Sequence, residues 1–205
     1  MTPTDGRALA ALYKHGLNTP VLVDVPPMRF LKLDGVGGIG GETFQEAVGA
    51  LFGLAYPIKF AAKKQLGLVY KVSPLEGLYW QADPEREFTP VDRVTLTWRL
   101  MIMLPDEVDG ELVEAIREKV ATKKNPPRLA DIRLQTFSEG MSVQLLHTGP
   151  YSEEPATIKR LLSFAAQRGY EVTGKHHEIY LGDPNRAAAE KLKTLLRYGV
   201  RKSRG

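Results

Sequence analysis

The chain has 205 residues, 43% of them hydrophobic and 25% charged, with a formal net charge of +4 and no cysteine. That is the composition of a globular protein with a sizeable core, and it excludes disulfides, thiolate metal sites and thiol catalysis. No apolar run approaches the roughly 20 residues of a membrane helix and no basic-then-apolar leader opens the chain, so a cytoplasmic protein with no membrane partner is expected. Lys59, Lys63, Lys64, Arg197 and Arg201 are scattered rather than gathered in a stripe, so no nucleic-acid partner is expected either.

In chain order, a helix is predicted over 5–13, followed by an extended entry over 18–27, where Pro20, Pro26 and Pro27 forbid helix. Residues 30–33 read as a short strand. Phe44, Ala47, Val48, Leu51 and Phe52 recur at helical spacing and predict a helix that stops at Gly53. Strands are predicted over 66–72, 77–80 and 91–104. Leu112, Val113, Ile116 and Val120 mark a helix over 109–122, ended by Pro126 and Pro127.

The same order then returns. Residues 142–147 read as a strand, and Gly149 and Pro150 as a turn. Ile158, Leu161, Leu162 and Ala165 form the apolar stripe of a helix ending at Gly169. Extended segments follow over 171–175, 176–181 and 192–200. The last is assigned by the repeat, although 187–196 is rich in helix formers. Gly149 lies 112 positions after Gly37 and Tyr170 lies 114 after Tyr56, while Glu178 lies 102 after Glu76, because Tyr56 to Glu76 spans 20 positions and Tyr170 to Glu178 spans 8. The expected fold is α+β: two tandem β-α-β-β repeats with pseudo-twofold symmetry around a central ligand cleft, their strands forming an antiparallel sheet with helices on one face. The expected divisions are an N-terminal helix and entry (1–25), repeat one (26–105), a linker helix (106–127), repeat two (128–200) and a basic tail (201–205).

Gly35, Gly37 and Gly40 match the G-x-G-x-x-G spacing of a dinucleotide-binding turn. The acidic residue such a turn needs about 20 positions later is replaced by the basic Pro57–Lys64 segment. The second copy makes the same strand-to-helix step with one glycine, Gly149. The shared requirement is a sharp turn, not a phosphate cradle, and no cofactor is expected.

Each copy places a glutamate beside a tyrosine: Glu76 with Tyr79 and Trp80, then Glu178 with Tyr180. Alternation puts Glu178 and Tyr180 on one face of a strand, with His177 and Ile179 on the other. Tyr79 and Trp80 cannot share a face; Trp80, which has the parity of Glu76, is favoured for the cleft. Adjacent His176 and His177 point oppositely and do not chelate one ion, so no metal is expected. Ser152, His147 and Asp183 are the residue types of a triad, but no G-x-S-x-G elbow accompanies them.

Together "VDVPPMRFLKLDG", "YKVSPLEGLYW", "HTGPYSEEPATIKRLL" and "HHEIYLGDP" resemble the GyrI-like small-molecule-binding domains, over roughly 26–200. Related domains form the effector-binding part of multidrug-responsive transcription regulators. The resemblance implies a cleft for planar aromatic compounds or lipophilic cations, with Glu178 as the key acid. It also implies a stand-alone member, since only about 25 residues precede the first repeat. Some stand-alone members are cyclopropanoid cyclopropyl hydrolases, so an enzyme with Glu178, Tyr151 and Tyr180 as catalytic residues is the alternative to xenobiotic binding. A protein-interaction module, such as a gyrase modulator, is the third. The expected ligand-binding residues are Tyr70, Glu76, Trp80, Tyr151, His176, Glu178 and Tyr180, in a monomer or homodimer. Gly199 stands where the resemblance leads one to expect proline.

Overall fold

The structure, a computed structural model, describes residues 12–13, 18–81, 96–182 and 187–203. In chain order its strands and α-helices are β1 (Val21–Val25), β2 (Met28–Gly37), α1 (Glu42–Leu66), β3 (Leu75–Trp80), β4 (Leu96–Leu104) and α2 (Gly110–Lys123). They continue as β5 (Arg133–Phe137), β6 (Gly140–Thr148), α3 (Glu154–Gln167), β7 (Tyr170–Val172), β8 (His176–Tyr180) and β9 (Lys193–Lys202). The class is α+β with antiparallel pairing, as expected. The strand-helix-strand-strand order occurs twice, as β2-α1-β3-β4 and as β6-α3-β8-β9 with the short β7 inserted. The predicted helix over 5–13 lies almost wholly outside the described residues, as do 91–95 of the predicted third strand.

By contacts the chain forms two compact units, one of 1–27, 76–92 and 138–205, the other of 28–75 and 93–137. In the first, the strand order is β1-β6-β9-β8-β3, and β7 pairs with the end of β9. Glu76 to Trp80 of β3 thus lie beside β8 although about 100 positions separate them in sequence. The core of this unit is Val143 and Leu145 of β6, Ile158, Leu161 and Ala165 of α3, and Leu196, Tyr198 and Val200 of β9. Burying each aliphatic side chain contributes about 1.5–3 kcal/mol. That term is why 193–202 is a strand despite its helix formers: a central position between β6 and β8 buries Thr194 to Val200. Pro155 lies in the first turn of α3, where a missing N–H costs nothing.

In the second unit the order is β4-β2-β5, with α1 packed on β2 and β4 and α2 on α1. The expected stop of α1 at Gly53 is corrected: the helix continues to Leu66 through Pro57. Interior proline costs about 3 kcal/mol. The buried stripe continues as Leu54, Ala55, Ile58 and Ala62, and Leu54 and Ile58 alone offset that cost at about 1.5–3 kcal/mol each. Gly67 ends the helix in the left-handed region at φ 67°, its N–H donating to the Ala62 carbonyl. The predicted strand over 66–72 is also corrected. Leu66 belongs to α1, residues 67–74 have no regular structure, and Val69 is 75% exposed, so its apolar residues find no strand partner. The predicted linker helix forms as α2, its first turn capped by Asp109, whose carboxylate accepts from the Leu112 N–H at 2.8 Å. β5 and the pairing of β1 with β6 were not predicted.

The glycine spacing has two separate causes. Gly35 pairs with Trp98 across β2 and β4, and a Cβ there would stand 2.2 Å from the indole ring. Gly37 and Gly40 take positive φ of 124° and 84° in the turn into α1, and Gly149 takes 132° at the equivalent step. Gly199 is where backbones meet: a Cβ on Gly174 would lie 2.8 Å from the Gly199 nitrogen, and Thr173 and Gly174 both donate to the Gly199 carbonyl.

Candidate functional site

All the residues of this site lie in the first unit. β8 alternates as its sequence dictates: His176, Glu178 and Tyr180 face α3, while His177 and Ile179 face away. Glu178 is 1% exposed and both its carboxylate oxygens are engaged. The Tyr180 hydroxyl donates to Oε2 at 2.6 Å, and His176 Nε2 lies 2.9 Å from Oε1. An ionised carboxylate only accepts, so His176 carries its proton on Nε2. On the other ring nitrogen, Nδ1, His176 meets the Tyr198 hydroxyl at 2.7 Å. Because the Tyr180 hydrogen is committed to Glu178, the Tyr79 hydroxyl, 2.5 Å from that of Tyr180, is the donor of their bond. The result is a chain of donors converging on Glu178, from Tyr79 through Tyr180 on one side and from His176 on the other. Burial, then the charge of Glu178, raises the Tyr180 pKa well above its usual value. Burial, then Glu178 and Glu154, does the same to Tyr198.

Tyr151, half-buried before α3, packs its ring edge-to-face on Tyr180, with centroids 6.1 Å apart. Glu154, the first residue of α3, is fully buried and brings a second carboxylate to the site. Glu154, His176 and Glu178 each offer a donor atom, all within 4.8 Å of one another. His176 and Tyr180 engage the two Glu178 oxygens, with the Glu154 carboxylate close beside them.

The structure brings together Tyr151, His176, Glu178 and Tyr180 of the residues expected here. It corrects the preference for Trp80 over Tyr79. Tyr79 meets Tyr180, whereas Trp80 has the Lys175 ammonium over its ring. Glu76 likewise belongs to the opposite sheet face, where its carboxylate lies 3.0 Å from His177 Nε2. Tyr70 is in the second unit; its hydroxyl is buried without a hydrogen-bond partner among the described residues, and burial pushes it up to about 12. Sequence reasoning missed Glu154 and Tyr198, and set Tyr79 behind Trp80. For Glu154 a signal existed, since Pro155 marks the first turn of a helix and places Glu154 at its start.

Gly77 permits the Tyr79 pose. A Cβ on Gly77 would stand 2.3 Å from the Tyr79 hydroxyl, so the ring folds back over the glycine two positions earlier. Gly77→Ala is expected to push Tyr79 off Tyr180 and to destabilise the protein by about 1–3 kcal/mol, as overpacking does. A thermal melt checks this, and an unchanged Tm would show that Tyr79 is not held there.

The opposite face carries a second buried network. His177 lies between Glu76 and Glu139, at 3.0 Å from each, and Arg197 reaches Glu139 at 3.3 Å and the Leu12 carbonyl at 2.9 Å. Tyr13 donates to Glu76. Burial pulls the His177 pKa down, but Glu139 and Glu76 outweigh it and raise the value to about 9. Burial raises Glu139, but His177 and Arg197 together hold it below the usual carboxylate range.

A groove of about 560 Å³ lies elsewhere in the first unit, lined by Asn18, His147, Thr148, Glu153, Thr157 and Arg160 among others. His147 is no triad base there. Its Nε2 donates to the Pro150 carbonyl at 3.1 Å and its Nδ1 meets the Thr157 hydroxyl at 2.9 Å, leaving nothing for Ser152. Asp183 lies outside the described residues.

A family model described as GyrI-like small molecule binding domain matches residues 18–198. The chain belongs to the GyrI-like small-molecule-binding family. Two solved structures from Listeria innocua are similar over 95% of this GyrI-like chain and 98% of their own: an uncharacterized conserved protein at 37% identity and TM-score 0.86, and a hydrolase at 34% identity and TM-score 0.83. The C-terminal domain of EcmrR, at 14% identity and TM-score 0.53 over 91% of this chain and 99% of its own, shares the GyrI-like fold. Comparison with the curated proteins gives no match. No described helix is long and apolar enough to cross a membrane.

Proposed function

We propose that this GyrI-like domain binds planar hydrophobic or cationic small molecules at Glu178, in xenobiotic binding or detoxification. The buried carboxylate at the meeting point of two donor chains, ringed by Tyr79, Tyr151, Tyr180 and Tyr198, carries this reading. A ligand cation about 4 Å from an ionised Glu178 gains roughly 4 kcal/mol at an effective dielectric near 20, before desolvation is subtracted. Each aromatic face adds about 0.5–2 kcal/mol. Tyr151 and Tyr180 are only half-buried and are the rings a ligand meets first, so entry to Glu178 requires the Tyr180 hydroxyl to give way. Fluorescence titration with rhodamine 6G, comparing native protein with Glu178→Gln, tests the assignment.

A second reading is favoured by the hydrolase from Listeria innocua that is 34% identical. In it Glu178 takes a proton from water, the water oxygen bonds to a cyclopropane carbon, and the ring carbon–carbon bond breaks. The electron pair passes to the conjugated carbonyl oxygen, which Tyr180 protonates, and the Glu178 proton returns to Tyr180 as the site resets. Incubation with a cyclopropanoid compound is expected to yield a product heavier by one water, lost in Glu178→Gln. Mass spectrometry showing no such product above the buffer control would remove this reading and leave binding intact.

A further inference from the structure

Glu154 on α3 and Glu178 on β8 are two acids in one dry place, with 0% and 1% of their surface exposed. With His176, 2% exposed, their donor atoms fall within 4.8 Å. The groups facing them are His176 and Tyr180 from β8, Tyr198 from β9, Tyr151 from the turn before α3 and, through Tyr180, Tyr79 from β3. The charged groups Glu76, His177, Glu139 and Arg197 meet on the opposite face of the same strands. Two ionised carboxylates this close repel, and burial raises the cost of both charges; a further proton carried by Glu154 or His176, with Glu178 still ionised, relieves the repulsion. That proton belongs to the cluster as one titrating unit and not to one named residue.

We propose that a cationic ligand entering this site displaces that proton, so that cation uptake is coupled to proton release. This rests on the reading of Glu178 as the ligand's counter-charge. No bond of the ligand changes: the proton passes to solvent, and the ligand's positive charge takes over its electrostatic role between the carboxylates. Linkage fixes the sign. The cation binds the deprotonated cluster, so affinity rises with pH by up to about tenfold per pH unit while the cluster holds its proton, and levels off above that range.

Calorimetry of rhodamine 6G binding to the full chain, in buffers of different ionisation enthalpy, counts the protons released. About one proton per dye is expected for the native protein in the range where affinity climbs. Glu154→Gln is expected to bind dye with little proton release and a flat pH profile. Dye binding with no proton released by the native protein overturns the proposal and spares the binding site, and this arm needs no variant to fold. Proton release unchanged in Glu154→Gln also overturns it, by removing Glu154 from the cluster. Failure of the dye to bind at all would sink the reading of Glu178 together with this one.

Discussion

Replacing Glu178 by glutamine will weaken rhodamine 6G binding by about tenfold to a hundredfold, or roughly 1.4–2.7 kcal/mol. The bare attraction of a cation to an ionised carboxylate is larger, about 4 kcal/mol at 4 Å. Three effects shrink it. Glutamine keeps one oxygen that can accept from Tyr180 or His176, and the tyrosine rings are untouched. Glu154 remains, with its donor atom within 4.8 Å of the others in the cluster. The substitution also removes the desolvation cost of a buried charge. An uncharged planar dye is expected to lose little, and equal losses for both dyes would mean that glutamine had deformed the site and not discharged it.

His177→Ala is the costliest substitution expected, at about 3–5 kcal/mol, the range for removing one partner from a buried ion network. It leaves Glu76 and Glu139 facing each other across an empty place, with Arg197 bonded to Glu139 alone of the two. The native protein carries the same information in its pH dependence. His177 has a folded value of about 9 against an ordinary 6.5, so its contribution is complete below 6.5 and is lost as pH rises through 9. Glu139 is shifted down from 4.5, so its contribution is complete above 4.5 and is lost as pH falls through its lower folded value. Stability from this network is therefore greatest between about 4.5 and 6.5. Urea unfolding at pH 6.5 and at pH 9.5 checks this: an unchanged midpoint would contradict a charged His177 between two carboxylates.

What the sequence made legible was whatever obeys a short period. The stripe of α3, the alternation of β8 and the assignment of β9 by repetition need only neighbours or a copy. The halves of the site that come from β3 and β8 are a different matter. Parity says that Glu76 and Trp80 share a face and that Tyr79 takes the other, but not which face of β3 turns towards Glu178. That depends on packing between strands about 100 positions apart, and it decided for Tyr79. The length of α1 was hidden for a similar reason: Gly53 and Pro57 are local stop signals, overridden by the tertiary burial of Leu54 and Ile58. The network of Glu139, His177 and Arg197 offered no signal at all. Its members are scattered charges in the sequence and become a unit only when β6, β8 and β9 are side by side.

The groove beside His147 and Arg160 makes the location of the ligand a sharp question, since open space there competes with chemistry at Glu178. A crystal structure of the protein with rhodamine 6G answers it. The dye's charged nitrogen is expected within about 4 Å of the Glu178 carboxylate, with the Tyr180 hydroxyl turned away from Glu178 to admit it. A dye seated in the groove between Asn18 and Arg160, with the Tyr79–Tyr180–Glu178–His176 chain unbroken, would contradict the account.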